Sequence, residues 1–355
     1  MDDEFQASST WRTQFTPTAL LATTRLPGCT RGGMLVRIIK NWRWPDLRRQ
    51  TPGLSMSWNG ISFTEDRVDE CDHVVIFNCV SEPVRVRCSP DRIWAIMQEP
   101  PPDPMHRGLA CYARVFTADV NLRKPRYVHS QLALPWHIDR TYDELRHAPI
   151  PDKPYPLSWV MSSKHHRPGH QSRLAFLDRL AGAVEFDLLG RGFRPIDDKW
   201  DGLAAYRYSL AVENFSGPYY WTEKLADCFL AWTMPIYFGC TNLAEYFPPE
   251  SYIAIDILDP DAPERVREAI ASDLWRRNRD AVAESRERVL ERYQLFPFLA
   301  GEIESFLVQQ GGLLRPPRRV RIDAWRPGRL ALLRRRLRRP TVSLKETTET
   351  SPQRR

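Results

Sequence analysis

Within twelve residues the chain places two carboxylates with an amide, a phenol and an ammonium: Glu213, Asn214, Tyr220, Glu223 and Lys224. The residues around them say where such groups would stand. Ser209 to Val212 is a short apolar run with a β-branched end, stopping at Glu213-Asn214, and a Gly217-Pro218 turn follows. Thr222 suits the cap of a helix whose Leu225, Phe229, Leu230 and Trp232 can share one face. Met234 to Phe238 reads as the next strand, closed by Gly239. Strand, helix and strand in about thirty residues make a βαβ unit of an α/β sheet. In such sheets ligands sit beyond the carboxyl ends of strands, near helix N-termini. A helix N-terminus offers free N–H groups and partial positive charge, and Lys224 adds a full one, so the place suits a diphosphate. Glu223 beside it can accept hydrogen bonds from sugar or ribose hydroxyls.

Other candidates lie outside this stretch. Glu99 follows the apolar run Arg92 to Met97 and precedes an extended run, Pro100 to Pro102. Arg173 stands near the start of a helix expected over Ser172 to Leu180. Arg191 sits between two glycines, Gly190 and Gly192, after a strand expected over Val184 to Leu189. The pair His165-His166 invites a metal reading, but no carboxylate lies at ligand spacing in that loop, so no metal site is expected.

Taken together, Glu213-Asn214, Tyr220 to Lys224, Pro235-Ile236-Tyr237-Phe238-Gly239, Phe247-Pro248-Pro249 and Ser251-Tyr252-Ile253 resemble the signature of the family 10 glycosyltransferases, the α-1,3/4-fucosyltransferases. The resemblance implies an α/β fold of GT-B architecture, two Rossmann-like domains facing a central cleft. It implies an inverting transfer of L-fucose from GDP-fucose to a hydroxyl of a glycan acceptor. Glu99 matches the family's general base, although Glu99-Pro100-Pro101 stands where the family has Glu-Ser-Pro. Arg173 matches the arginine that contacts the donor diphosphate, with Arg191 a second candidate. Glu213, Asn214, Tyr220, Glu223 and Lys224 complete the donor site. No cofactor is required, and a divalent ion (Mn²⁺ or Mg²⁺) would only stimulate. Two alternatives stay open: another nucleotide sugar as donor, and a catalytically inactive glycan- or nucleotide-sugar-binding protein.

The rest of the chain must position these groups. Its 355 residues suffice for two domains, and 42% hydrophobic with 27% charged residues is a globular composition. Residues 1–33 read as disordered. Residues 34–148 read as the acceptor-binding domain, with strands at Met34 to Ile39, His73 to Asn78 and Arg92 to Met97, edge strands at Arg114 to Thr117 and Tyr127-Val128, and few clear helices. Prolines at 149, 151, 154 and 156 mark a linker over 149–156. Residues 157–310 read as the nucleotide-sugar-binding domain, opening on a strand over Leu157 to Met161, with Pro263 to Leu295 one long charged helix.

The seven cysteines are odd in number and lack CxxC spacing, so neither a disulfide framework nor a zinc site is expected. No run of eighteen apolar residues and no signal peptide appears, which together with the resemblance suggests a bacterial, cytoplasmic form. Net charge is +7, but residues 311–355 alone hold 14 Lys and Arg against 3 acids, leaving the body mildly acidic. Arg315 to Arg339 carries eleven arginines, and a helix over 328–338 would put Leu330, Leu333 and Leu337 on one face. That pattern suits an in-plane helix on anionic lipid, hence a peripheral place at the inner membrane. Aromatic interleaving and RNA-binding motifs are missing, so nucleic acid is not expected as a partner.

Overall fold

A computed structural model describes residues 33–102, 111–165, 167–310 and 314–325. The expectations for residues 1–32 and for a helix over 328–338 lie outside them. The chain runs β1 (Met34–Ile39), β2 (Ser57–Trp58), β3 (Ile61–Thr64), β4 (His73–Phe77), β5 (Val84–Cys88), β6 (Ile93–Ile96), β7 (Arg114–Thr117), β8 (Tyr127–His129) and α1 (Tyr142–His147). It continues β9 (Tyr155–Val160), α2 (Pro168–Ala181), β10 (Asp187–Leu189), β11 (Tyr206–Gly217), α3 (Glu223–Leu230), β12 (Met234–Cys240) and β13 (Ile253–Ala254). It closes with α4 (Ala262–Ala271), α5 (Leu274–Arg277), α6 (Arg279–Arg288), α7 (Leu295–Gln310) and β14 (Arg318–Ile322).

Two open sheets result. The first has the order β2-β3-β1-β4-β6-β7-β8, parallel except for β2 against β3. The second has the order β10-β9-β11-β12-β13 and is parallel throughout. Two parallel α/β sheets in tandem are the expected GT-B arrangement.

The alternation of the strands decides what covers the first sheet. Val75 and Phe77, Trp94 and Ile96, and Phe116 point to one face; Val74 and Ile76, Ile93 and Ala95, and Val115 point to the other. Both faces are apolar, yet this half of the chain supplies few helices. The cover comes from far along the sequence. Helix α7 packs on the first face, with Phe296 against Phe63, Phe298 against Phe116, and Phe306 against Trp94 and His73. His73 is fully buried among these rings, and burial holds its imidazole well below its ordinary value. The second face is covered by β5 and β14, which pair antiparallel, Val86 opposite Val320 and Ile322 opposite Val84.

The sequence expectation for residues 157–310 and 311–355 therefore meets a different arrangement. Residues 295–310 pack on the first sheet, and residues 318–322 are a strand of the first half. The long helix expected over Pro263 to Leu295 is interrupted. The Tyr208 hydroxyl donates to the Ser272 carbonyl at 3.0 Å and accepts from the Trp275 N–H at 3.1 Å, holding α4 and α5 apart. A π-turn over Val289–Tyr293 separates α6 from α7. Helix α2 is longer than expected, starting at Pro168, and β10 is shorter, starting at Asp187. Strand β9 begins at Tyr155, inside the expected linker, because Tyr155 already pairs with Tyr206. Among the described residues no helix is long and apolar enough to cross a membrane.

Strand β14 buries Ile322 completely, and Arg315 beside it pairs with Asp91 at 2.5 Å. A chain ending after 312 should lose this cover, whereas one ending after 325 should keep it. We expect thermal unfolding of the shorter chain at least about 4 °C below that of the longer. Equal midpoints would show that β14 adds nothing to the first domain.

Candidate donor-binding cleft

Strand β11 carries the first of the site residues. It runs on to Gly217 instead of stopping at Glu213-Asn214, with an irregularity in its pairing to β12 between Val212 and Gly217. The Glu213 side chain therefore enters the interior, where it is about 1% exposed. Room for it exists because the neighbour is Gly239: a Cβ there would come within 2.5 Å of Glu213 Cγ.

A buried carboxylate must be paired or neutralised. Glu213 Oε1 accepts from the Thr222 N–H at 2.8 Å and from its hydroxyl at 2.7 Å. Glu213 Oε2 accepts from Lys224 Nζ at 3.0 Å. Lys224 Nζ also donates to Thr222 Oγ1 at 3.1 Å and lies 3.5 Å from Glu223 Oε1. Thr222 is the expected cap of α3, its hydroxyl accepting from the Lys224 N–H at 3.3 Å. The helix ends at Leu230, so Trp232 lies beyond the expected face, with positive φ and the Arg286 guanidinium 4.9 Å from its ring centre.

The electrostatics follow from the packing. Burial pushes the Glu213 carboxyl up, against the pull of Lys224. Burial acts the same way on Glu223, but the ammonium groups of Lys224 and Lys199 hold it below its ordinary value. Burial opposes the charge on Lys224, and Glu213 with Glu223 more than offsets that, raising it.

These groups border a cleft of about 690 Å³ between the two halves. Its lining includes Ser162, Lys164, Arg173, Gly190, Arg191, Asp197, Asp198, Lys199, Glu223 and Lys224 from the second half, and Trp44, His137 and Asp139 from the first. Arg173 is 4% exposed, donating to Asn214 Oδ1 at 2.9 Å and to the Ser162 carbonyl at 3.3 Å. Its Nε is buried without a partner, and burial lowers the guanidinium from its ordinary value. Gly169 lets α2 approach this closely, since a Cβ there would strike the Asn214 carbonyl.

The structure thus brings Arg173, Arg191, Glu223 and Lys224 to one cleft and sets Glu213 and Asn214 behind them as supports. Tyr220 is 3% exposed, packed edge-on to Phe215 and clustered with Ala118 and Leu132. Glu99 stands outside the cleft lining and pairs with Arg167 at 2.7 Å, linking the end of the first sheet to the start of α2. Among the described residues no group of three or more His, Cys, Asp or Glu side chains is placed to hold a metal.

The family model of glycosyltransferase family 10 (fucosyltransferase), C-terminal part, matches residues 150–266. Those residues are a family 10 glycosyltransferase domain. A 4-galactosyl-N-acetylglucosaminide 3-alpha-L-fucosyltransferase of Pongo pygmaeus is 30% identical over 105 residues, 28% of each chain. A human 3-galactosyl-N-acetylglucosaminide 4-alpha-L-fucosyltransferase is 26% identical over 165 residues, 44% of each chain. The chain therefore matches less than half the length of these relatives. A crystal structure of an alpha1,3-fucosyltransferase with GDP superposes with a TM-score of 0.47 at 17% identity, covering 81% of this chain and 93% of that one.

Three groups escaped the sequence reading: His137 and Lys199 in the cleft lining, and Asp227 buried behind them. Asp227, fully buried on α3, accepts from Lys199 Nζ at 2.6 Å and from the His137 N–H at 2.9 Å. Lys199 is raised by Asp227 and Glu223 against the effect of burial. A carboxylate inside the apolar run Leu225 to Leu230 was the one available signal; Lys199 and His137 carry none.

The pair Lys224–Glu213 gives a stability prediction for the family 10 domain. Lys224→Met should cost about 3 kcal/mol in chemical unfolding, because a buried carboxylate loses its counter-charge. Adding Glu213→Gln should recover part of it. In Lys224→Met the folded state keeps the Glu213 proton to higher pH than the wild type does, so the deficit should grow once pH passes the wild-type carboxyl's own value, which burial already holds above the ordinary one. A deficit independent of pH would contradict the pairing.

Proposed function

We propose that this protein is an inverting glycosyltransferase that moves L-fucose from GDP-fucose to a hydroxyl of a glycan acceptor. One observation carries the reading: in a family 10 domain, Lys224 at the N-terminus of α3 and the half-satisfied Arg173 face the same cleft. Cations beside a helix N-terminus suit a diphosphate that gains negative charge as it leaves. The names of the similar proteins supply the sugar in the proposal.

In this mechanism the acceptor hydroxyl attacks the anomeric carbon from the face opposite the nucleotide. The bond from that carbon to the phosphate oxygen breaks, and GDP departs. Glu99 takes the hydroxyl proton as general base, and for that it must exchange its contact with Arg167 for one with the acceptor. Lys224, Arg173 and the N–H groups of α3 neutralise the departing diphosphate, with Arg191 at the cleft wall as a further cation. Glu213 and Asn214 hold Lys224 and Arg173 in place. Tyr220, buried with Ala118 and Leu132 outside the cleft lining, has no direct contact with the donor in this mechanism. Glu223 accepts from the sugar hydroxyls. The proposal needs no metal, since fixed cations do the neutralising; Mn²⁺ or Mg²⁺ would only stimulate.

We also propose a peripheral place on the cytoplasmic side of the inner membrane, through the arginines and leucines of residues 326–339. Truncation after 325 is the proper test, as it leaves β14 in place. The Glu99–Arg167 ion pair favours a second reading, a nucleotide-sugar-binding protein whose base is tied down.

Steady-state kinetics separates the two. Lys224→Ala should lower kcat/KM for GDP-fucose at least about tenfold, about 1.4 kcal/mol of transition-state stabilisation. Glu99→Gln should leave the donor Kd unchanged and depress transfer by about a hundredfold. Unchanged transfer in Glu99→Gln would place the base elsewhere. Neither transfer nor donor hydrolysis in the wild type, with donor still bound, would favour the binding protein.

A further inference from the structure

His137 has no role in the mechanism above, yet it is held in the cleft from several directions. Its N–H is fixed by Asp227, which Lys199 fixes in turn. About a third of its side chain is open to the cleft. Its Nδ1 lies 4.0 Å from Glu223 Oε1. That distance is too long for a direct hydrogen bond, and the same Glu223 oxygen lies 3.5 Å from Lys224 Nζ.

A gap of this size fits a hydroxyl. One oxygen can stand about 2.8 Å from both atoms. A carboxylate only accepts, a neutral imidazole nitrogen can donate, and a hydroxyl does both at once. We propose that His137 and Glu223 together form a subsite for one hydroxyl of the donor sugar, which donates to Glu223 and accepts from His137. The subsite rests on the GDP-fucose reading and goes beyond it. It brings a residue of the first half of the chain to the donor, and it lets the cleft read the sugar apart from the nucleotide.

The charges facing His137 suit this. Glu223, Lys224 and Asp227 come from α3, and Lys199 from the loop after β10. Burial, against the pull of Glu223 and Asp227 and with Lys199 and Lys224 on its side, lowers the imidazole from its ordinary value, which favours the uncharged ring at neutral pH. An uncharged ring leaves Glu223 free to accept from a ligand, where an imidazolium would draw it into a direct ion pair.

Calorimetric titration with GDP and with GDP-fucose tests the subsite. His137→Ala should keep its GDP Kd within about twofold and weaken GDP-fucose about fivefold to tenfold, the loss of one hydrogen bond. His137→Gln, which still offers an N–H, should recover most of that. Monodeoxy GDP-fucose analogues sharpen the assignment. The wild type should lose affinity on removal of one particular hydroxyl, and His137→Ala should be indifferent to the same removal. Equal weakening for GDP and GDP-fucose would make His137 a structural residue and overturn the proposal. No weakening at all would overturn it too. Failure of the wild type to bind GDP or any GDP-sugar would sink the donor reading along with the subsite.

Discussion

The burial of Glu213 constrains everything around it. A carboxylate driven into the interior by β11 needs compensation, and the chain supplies it from one place, the first turn of α3. Thr222 therefore both caps the helix and solvates the acid, and Lys224 is drawn back toward Glu213 with its ammonium at the cleft edge. The same demand explains Gly239, whose missing Cβ leaves the space Glu213 occupies. Buried pairs of this kind are costly and rarely the cheapest route to stability. What this one secures is position: a cation fixed beside a helix N-terminus before any ligand arrives.

The two halves are joined by exchange of material. The first sheet buries both faces but has few helices, so α7 returns from the far end of the chain to cover one, and β14 with β5 covers the other. In the opposite direction, Asp227 of α3 holds the main chain at His137, and Arg167 of α2 reaches Glu99. The cleft walls are therefore set by contacts that cross between halves.

Much of this was legible in the sequence, for physical reasons. Central strands of parallel sheets are continuously apolar, so β1, β4 and β6 stand out within a residue or two. The cap at Thr222 and the βαβ unit around it are local signals. Long-range decisions were not legible. Nothing local in Leu295 to Gln310 says that its phenylalanines belong to the first sheet, and nothing in the tail says that Arg318 to Ile322 pairs with β5. The interruption of the helix after α4 depends on the Tyr208 hydroxyl, sixty-four residues before Ser272. At the site, motif residues announced themselves, while His137 and Lys199 gained meaning only when Asp227 drew them together.

The account stands on the cleft taking a diphosphate at the first turn of α3. The most direct test is calorimetric titration of the wild-type protein with GDP and with guanosine, side by side. The account predicts that GDP binds at least about a hundredfold more tightly, since the contacts with Lys224, Arg173 and the helix N-terminus all fall on the diphosphate. Guanosine binding as well as GDP, or neither binding, would contradict it.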